Sequence, residues 1–196
     1  MLVSAQKARS AIVAVSALTI LSCLASIAHS QTRTPNPDAP AVLRWWPQTG
    51  GWATLLSRSD SHTLVCSMLT GKFSSGQVQY LATLARYPTE WHLGIADMNQ
   101  ISGNQISLVV DGVRVGDYPI LKRQDNAGPL HSVRAILPSA DTMRVMNLFR
   151  TGATVQFVTD QLTYTFPLAG AAQSLANVQS CIVEANSLTQ TKTSDR

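Results

Sequence analysis

Histidines, cysteines, aspartates and a tryptophan cluster are the side chains of this sequence equipped for chemistry. His62, His92 and His131 have the functional groups of general bases or metal ligands. They are scattered rather than set at the short spacings of a ligand motif, so surface or strand-edge roles are the expectation. Ser74-Ser75-Gly76 offers hydroxyls that a histidine base would activate. Nothing near it specifies that base or an oxyanion hole, and the triplet reads as a polar turn. Asp97, Asp111 and Asp125 lack the spacing of a calcium loop and suit turns instead. There is no glycine-rich phosphate loop, no nucleophile elbow and no metal-type histidine spacing. The expectation is a protein without catalytic residues, metal or cofactor.

Arg44-Trp45-Trp46-Pro47, with Trp52 nearby, points to binding. Exposed tryptophans form platforms for sugar rings or anchor a protein partner, and an adjacent arginine adds polar contact. Arg44, Trp45 and Trp46 are therefore the candidate binding residues. The competing reading has at least one of these rings closing the end of the core.

Cys66 and Cys181 gain meaning from the first thirty residues. Lys7 and Arg9 precede an apolar run from Ala11 to Ala25, and small residues follow at Ala28 and Ser30. That is the layout of a secretory signal, with an apolar stretch too short to span a bilayer. Cleavage after Ala28 satisfies the small-x-small rule. Ile20-Leu21-Ser22-Cys23 loosely matches a lipobox and would instead leave a lipoprotein anchored through Cys23. Either way the working protein is expected in the periplasm or outside the cell. Cys66 and Cys181 then form an even pair in an oxidising compartment, for which a disulfide is the default.

Composition agrees with one exported domain. Without Lys7 and Arg9, 13 of the 15 basic residues face 11 acidic ones, a balance of about +2 with histidines neutral. Lys122-Arg123, Arg114, Arg134, Arg144 and Arg150 are interleaved with Asp111, Asp117, Asp125 and Asp141. That is a solvated surface and not a nucleic-acid footprint, which would be denser and of one sign. Past a signal at 1–28, residues 29–42 carry Pro35, Pro37 and Pro40 and read as an extended leader. A single β-rich domain is expected over 43–186, and a disordered polar tail over 187–196.

The elements that would position these residues follow from periodicity. Trp52 to Ser57 and Thr63 to Thr70 read as paired strands, with Leu64, Cys66 and Met68 on one face. Trp91, Leu93 and Ile95 mark another strand. Ile106, Leu108 and Val110 lead through Asp111-Gly112 to Val113 and Val115, a hairpin signal because both turn residues tolerate positive φ. Val133, Ala135 and Leu137 form a strand ended by Pro138. Thr154–Thr159 and Leu162–Leu168 form a hairpin around Asp160-Gln161. Gly76 to Arg86 fits either period and is assigned to strand. Two helices are expected, at about 139–150, capped by Ser139 with Met143, Met146 and Phe149 inward, and at about 171–185, with Cys181 facing the core. The expected fold is a mainly β, two-layer antiparallel β-sandwich with two short helices, in which the Cys66–Cys181 bridge ties an early strand to the last helix.

Three stretches in this order carry a likeness to a known family: Ser107-Leu108-Val109-Val110-Asp111-Gly112-Val113-Arg114-Val115-Gly116, Leu148-Phe149-Arg150-Thr151-Gly152-Ala153-Thr154-Val155-Gln156-Phe157, and Phe166-Pro167-Leu168-Ala169-Gly170. Over roughly residues 105 to 182 the chain resembles the invasion-associated locus B family of exported bacterial proteins. The shared features are turns and strand ends. The resemblance implies a compact β-rich periplasmic or surface protein, in some pathogens associated with host-cell entry, and it brings no catalytic residues. The chain departs from the pattern in having no close cysteine pair between hairpin and helix; 122–128 holds none.

The functional expectation is an exported envelope or surface protein that binds a protein or glycan partner without catalysis, and that neither engages nucleic acid nor spans the membrane. Two alternatives stand beside it: a periplasmic hydrolase with a site built from His62, His92 or His131, and a structural accessory of an envelope secretion or assembly machine.

Overall fold

A computed structural model describes residues 41–59, 61–74, 77–124 and 130–194. The expected signal and most of the leader, together with Cys23, Ser75, Gly76 and Asp125, lie outside the described residues. Among the described residues the chain forms ten strands and two helices. The strands are β1 (Ala41–Thr49), β2 (Trp52–Arg58), β3 (Leu64–Ser74), β4 (Gln77–Arg86), β5 (Trp91–Asp97), β6 (Gln105–Val110), β7 (Val113–Gln124), β8 (His131–Leu137), β9 (Thr154–Val158) and β10 (Thr163–Pro167). The helices are α1 (Ser139–Thr151) and α2 (Ala171–Ser194).

All strands join one open antiparallel sheet in the order β1-β2-β3-β4-β5-β8-β7-β6-β9-β10. The helices pack on this sheet. Hydrogen bonding is continuous from β1 to β10, so it does not divide the strands into two separate layers. The continuity runs through β7, whose first half pairs with β6 and whose second half pairs with β8, the ladder shifting between Ile120 and Lys122. A shift of this kind bends a strand. Rings from strands that are not neighbours in the order meet: Tyr80 on β4 lies edge-on to Tyr164 and Phe166 on β10, with centroids 5.1 and 5.5 Å apart.

The alternating pattern places side chains as the sequence predicts over most of the sheet. Leu93 and Ile95, Val133, Ala135 and Leu137, and Tyr164 and Phe166 are buried, while Thr163 and Thr165 are exposed. Asp111 and Gly112 turn with φ of 49° and 80°, the left-handed pair that a two-residue hairpin needs. The segment with two candidate periods is strand β4, with Ala82 and Leu84 buried on the same side.

The helices depart from expectation in detail. Ser139 does not cap α1. Pro138 occupies the cap position, and its carbonyl accepts from the Asp141 and Thr142 amides at 3.0 and 3.1 Å. The buried stripe of α1 is Val145, Met146 and Phe149, leaving Met143 66% exposed. Helix α2 continues through Ser194, beyond the expected end at Ala185. No glycine or proline interrupts this stretch, and the Ser187 and Thr189 hydroxyls donate to the Glu184 and Ala185 carbonyls.

Helix α2 lies across β1, β2 and β3. Cys66 on β3 and Cys181 on α2 are joined by a disulfide across 115 residues of sequence, with Cα atoms 5.8 Å apart. Thr54 Oγ1 donates to Ser174 O at 3.1 Å, and buried Trp52 donates through Nε1 to Pro167 O at 2.8 Å. The β1–β2 turn docks on the start of α2, where Gly50 and Gly170 both have positive φ and a Cβ on either would collide with the other segment's backbone.

Candidate functional site

The candidate binding residues sit on β1, an outer strand of the sheet. Strand alternation separates them. Arg44 and Trp46 are opposite Leu56 and Thr54 of β2, on the side where α2 lies. There Arg44 forms an ion pair with Glu184 of α2, and its guanidinium carbon stacks 4.8 Å from the Trp46 ring centroid. Trp46 is partly buried against the core. Trp45 is opposite Leu55 and therefore points to the other face, where it is 47% exposed. The same strand carries exposed Val42 and Leu43. The structure thus gives Arg44 and Trp46 a shared intramolecular contact and leaves Trp45 as the open ring.

The histidines do not converge. His131 opens β8 opposite Asp97, whereas His92 is opposite Ile136. Five strand steps, about 17 Å, separate those rows. His92 is 6% exposed, with Nε2 at 2.8 Å from Glu90 Oε1 and its ring stacked 4.3 Å from Tyr87. His92 Nδ1 has no hydrogen-bond partner among the described residues. His62 occupies the β2–β3 turn with φ 59° and lines a cleft of about 530 Å³ beside the disulfide.

The aspartates serve turns. Asp97 accepts from the Asn99 amide and side chain at 2.7 and 3.0 Å. Asp111 accepts from the Ala153 and Thr154 amides at 3.0 and 2.8 Å, which latches the β6–β7 hairpin to the junction of α1 and β9. The Thr154 and Ala153 amides hold the Asp111 carboxyl below its usual range because they stabilise the charged form. Among the described residues no three His, Cys, Asp or Glu side chains are grouped to hold a metal ion.

A groove of mixed lining, with Leu81 and Ala96 beside its polar groups, lies on the sheet face that Trp45 shares. Its floor is a cross-strand row of Thr83, Gly94, Arg134 and Lys122, contributed by β4, β5, β8 and β7. Ser59 and Ser61 of the β2–β3 turn reach its rim, and the volume is about 420 Å³. Arg134 donates to the Tyr87 hydroxyl and stacks 5.5 Å from that ring. Sequence spacing gave no sign of this cluster, since Lys122 and Arg134 read as scattered surface charge; only the register of β7 on β8 sets them side by side.

The chain matches no family model, no curated protein and no solved structure. Among the described residues no helix is long and apolar enough to cross a membrane.

Proposed function

We propose that this is an exported envelope or surface protein that works by binding a protein or glycan partner, without catalysis, through the face of the sheet that carries Trp45. The observation behind this reading is the separation along β1. Arg44 is paired with Glu184 of α2 and stacked on Trp46, while half-exposed Trp45 faces away on an outer strand. Large aromatic rings in such positions dominate contact energetics. The edge is unsuited to simple strand addition, because Pro47 and two register shifts interrupt β1, the devices that keep edges from pairing. The Trp45 ring is therefore the contact, and the backbone edge is not.

Export rests on the signal-like start and is compatible with the Cys66–Cys181 bridge. The location is the periplasm or the exterior, with anchoring through Cys23 as the alternative. The resemblance to the invasion-associated locus B family favours the same location. The ring contacts between β4 and β10 favour a two-layer arrangement in which the sheet folds over itself at β7, a β-sandwich made from one continuous sheet.

Paired substitutions test the contact. Trp45→Ala is expected to weaken capture of the partner from envelope or host-surface extracts at least about tenfold, the effect of losing an anchor worth more than about 1.4 kcal/mol, with an unchanged melting temperature. Trp46→Ala is expected to lower stability by about 2 kcal/mol, because it empties a partly buried site. Unchanged capture by the Trp45 variant contradicts the reading.

A further inference from the structure

We propose that the groove beneath the β2–β3 turn is a second binding site, selective for an acidic sugar whose carboxylate or phosphate lies between Lys122 and Arg134. This goes beyond the Trp45 contact: β2, β3, β4 and β5 stand between β1 and the strand that carries Arg134.

The first observation is electrostatic. Lys122 and Arg134 are directly opposite each other in the β7–β8 register. Like charges in such a pair repel and are unfavourable without a counter-charge. None of the described residues lining the groove is acidic. Arg114 and Arg44 have carboxylate partners, Asp117 and Glu184, whereas Arg86, Arg123 and Arg150 donate to neutral carbonyl oxygens. Arg134 donates to the Tyr87 hydroxyl and stacks on that ring, contacts that fix the direction of its guanidinium without supplying a counter-charge.

The second observation is the lining. Around the two cations stand the hydroxyls of Ser59, Ser61, Thr83 and Tyr87. Ser59 and Ser61 are linked Oγ to Oγ at 2.9 Å, and Ser61 reaches Thr63 Oγ1 at 3.1 Å, so the rim is an ordered row of groups able to donate and accept. At Gly94 the floor is flat, and a Cβ there would strike the Thr83 hydroxyl. A guanidinium and an ammonium meeting one oxyanion, beside hydroxyls matched to the ring hydroxyls of a sugar, fit an acidic saccharide better than a neutral sugar or an apolar ligand. The volume falls within the range of small-molecule sites.

Calorimetric titration of the exported chain tests this with a galacturonate disaccharide, a hexose phosphate, a neutral disaccharide and inorganic phosphate. The expected result is that one or both acidic sugars bind at least about tenfold more tightly than the neutral disaccharide and than phosphate alone, and that binding weakens as salt rises. Which acidic sugar binds better tells carboxylate from phosphate. Lys122→Gln is expected to reduce that affinity about tenfold or more without lowering the melting temperature, since Lys122 is exposed and its charge repels that of Arg134. Arg134→Gln is expected to do the same, and because it also releases Tyr87, the Lys122 variant decides the matter if the Arg134 variant is unstable. Equal affinity for acidic and neutral sugars, equal affinity for phosphate alone, or undiminished binding by the Lys122 variant overturns the proposal.

Discussion

Asp111 shows how one exposed side chain organises a junction of four segments. Its positive φ closes the β6–β7 hairpin, and its carboxylate accepts from two amides and the hydroxyl at Ala153 and Thr154. The folded-state pKa is lowered by those donors. A carboxyl with a depressed folded pKa stabilises the fold above its unfolded pKa, and that contribution is lost as pH falls through the folded value. Asp111→Asn keeps a residue that tolerates the left-handed turn while removing the charge. The expected outcome is a lower melting temperature at neutral pH, with the difference from the parent protein shrinking towards zero on acidification below the carboxylate range. Equal melting temperatures at neutral pH would show the latch to be without consequence. The hairpin was legible from Asp111-Gly112 alone, but the latch was not, because its acceptors' partners are forty residues away in sequence and become neighbours only when β6 pairs with β9.

At the level of elements, alternation revealed the strands wherever one face is buried. Val133, Ala135 and Leu137, or Tyr164 and Phe166, cannot be shifted by one residue without exposing the whole set. The same rule misses faces where ladders are irregular. Two register shifts in β1 decide which tryptophan points outward, and no local pattern in Arg44-Trp45-Trp46-Pro47 reveals them. The groove was invisible for a related reason, since its central row takes one residue from each of four strands. The end of α2 was missed because its polar last turns have neither an apolar period nor a stop signal. Where elements touch through backbone, the requirement falls on glycine. Gly170→Ala places a Cβ against Thr49 at φ 85° and is expected to destabilise the fold by about 1–3 kcal/mol, seen as a lower denaturant midpoint; an unchanged midpoint would mean that the β1–β2 turn moves freely off α2.

For the whole molecule, the organising feature is a division of labour between the two faces of one sheet near β1 to β3. One face carries α2, the disulfide and the Arg44–Glu184 pair; the other carries Trp45 and, further along, the row ending in Arg134 and Lys122. The bridge closes a loop long enough that, on chain-entropy grounds, it contributes up to about 5 kcal/mol. On the proposed reading, the side locked by the Cys66–Cys181 bridge is structural and the other side meets the partner. Export is the claim on which the functional reading depends, and the intact mass of protein recovered from the envelope of a native-like host, alkylated with and without prior reduction, tests it most directly. The account predicts a chain beginning at or near His29 with two alkylation sites that appear only after reduction, or the same two sites on a lipid-bearing chain beginning at Cys23. A chain that retains the Lys7 and Arg9 segment, or one whose Cys66 and Cys181 thiols react without reduction, would contradict it.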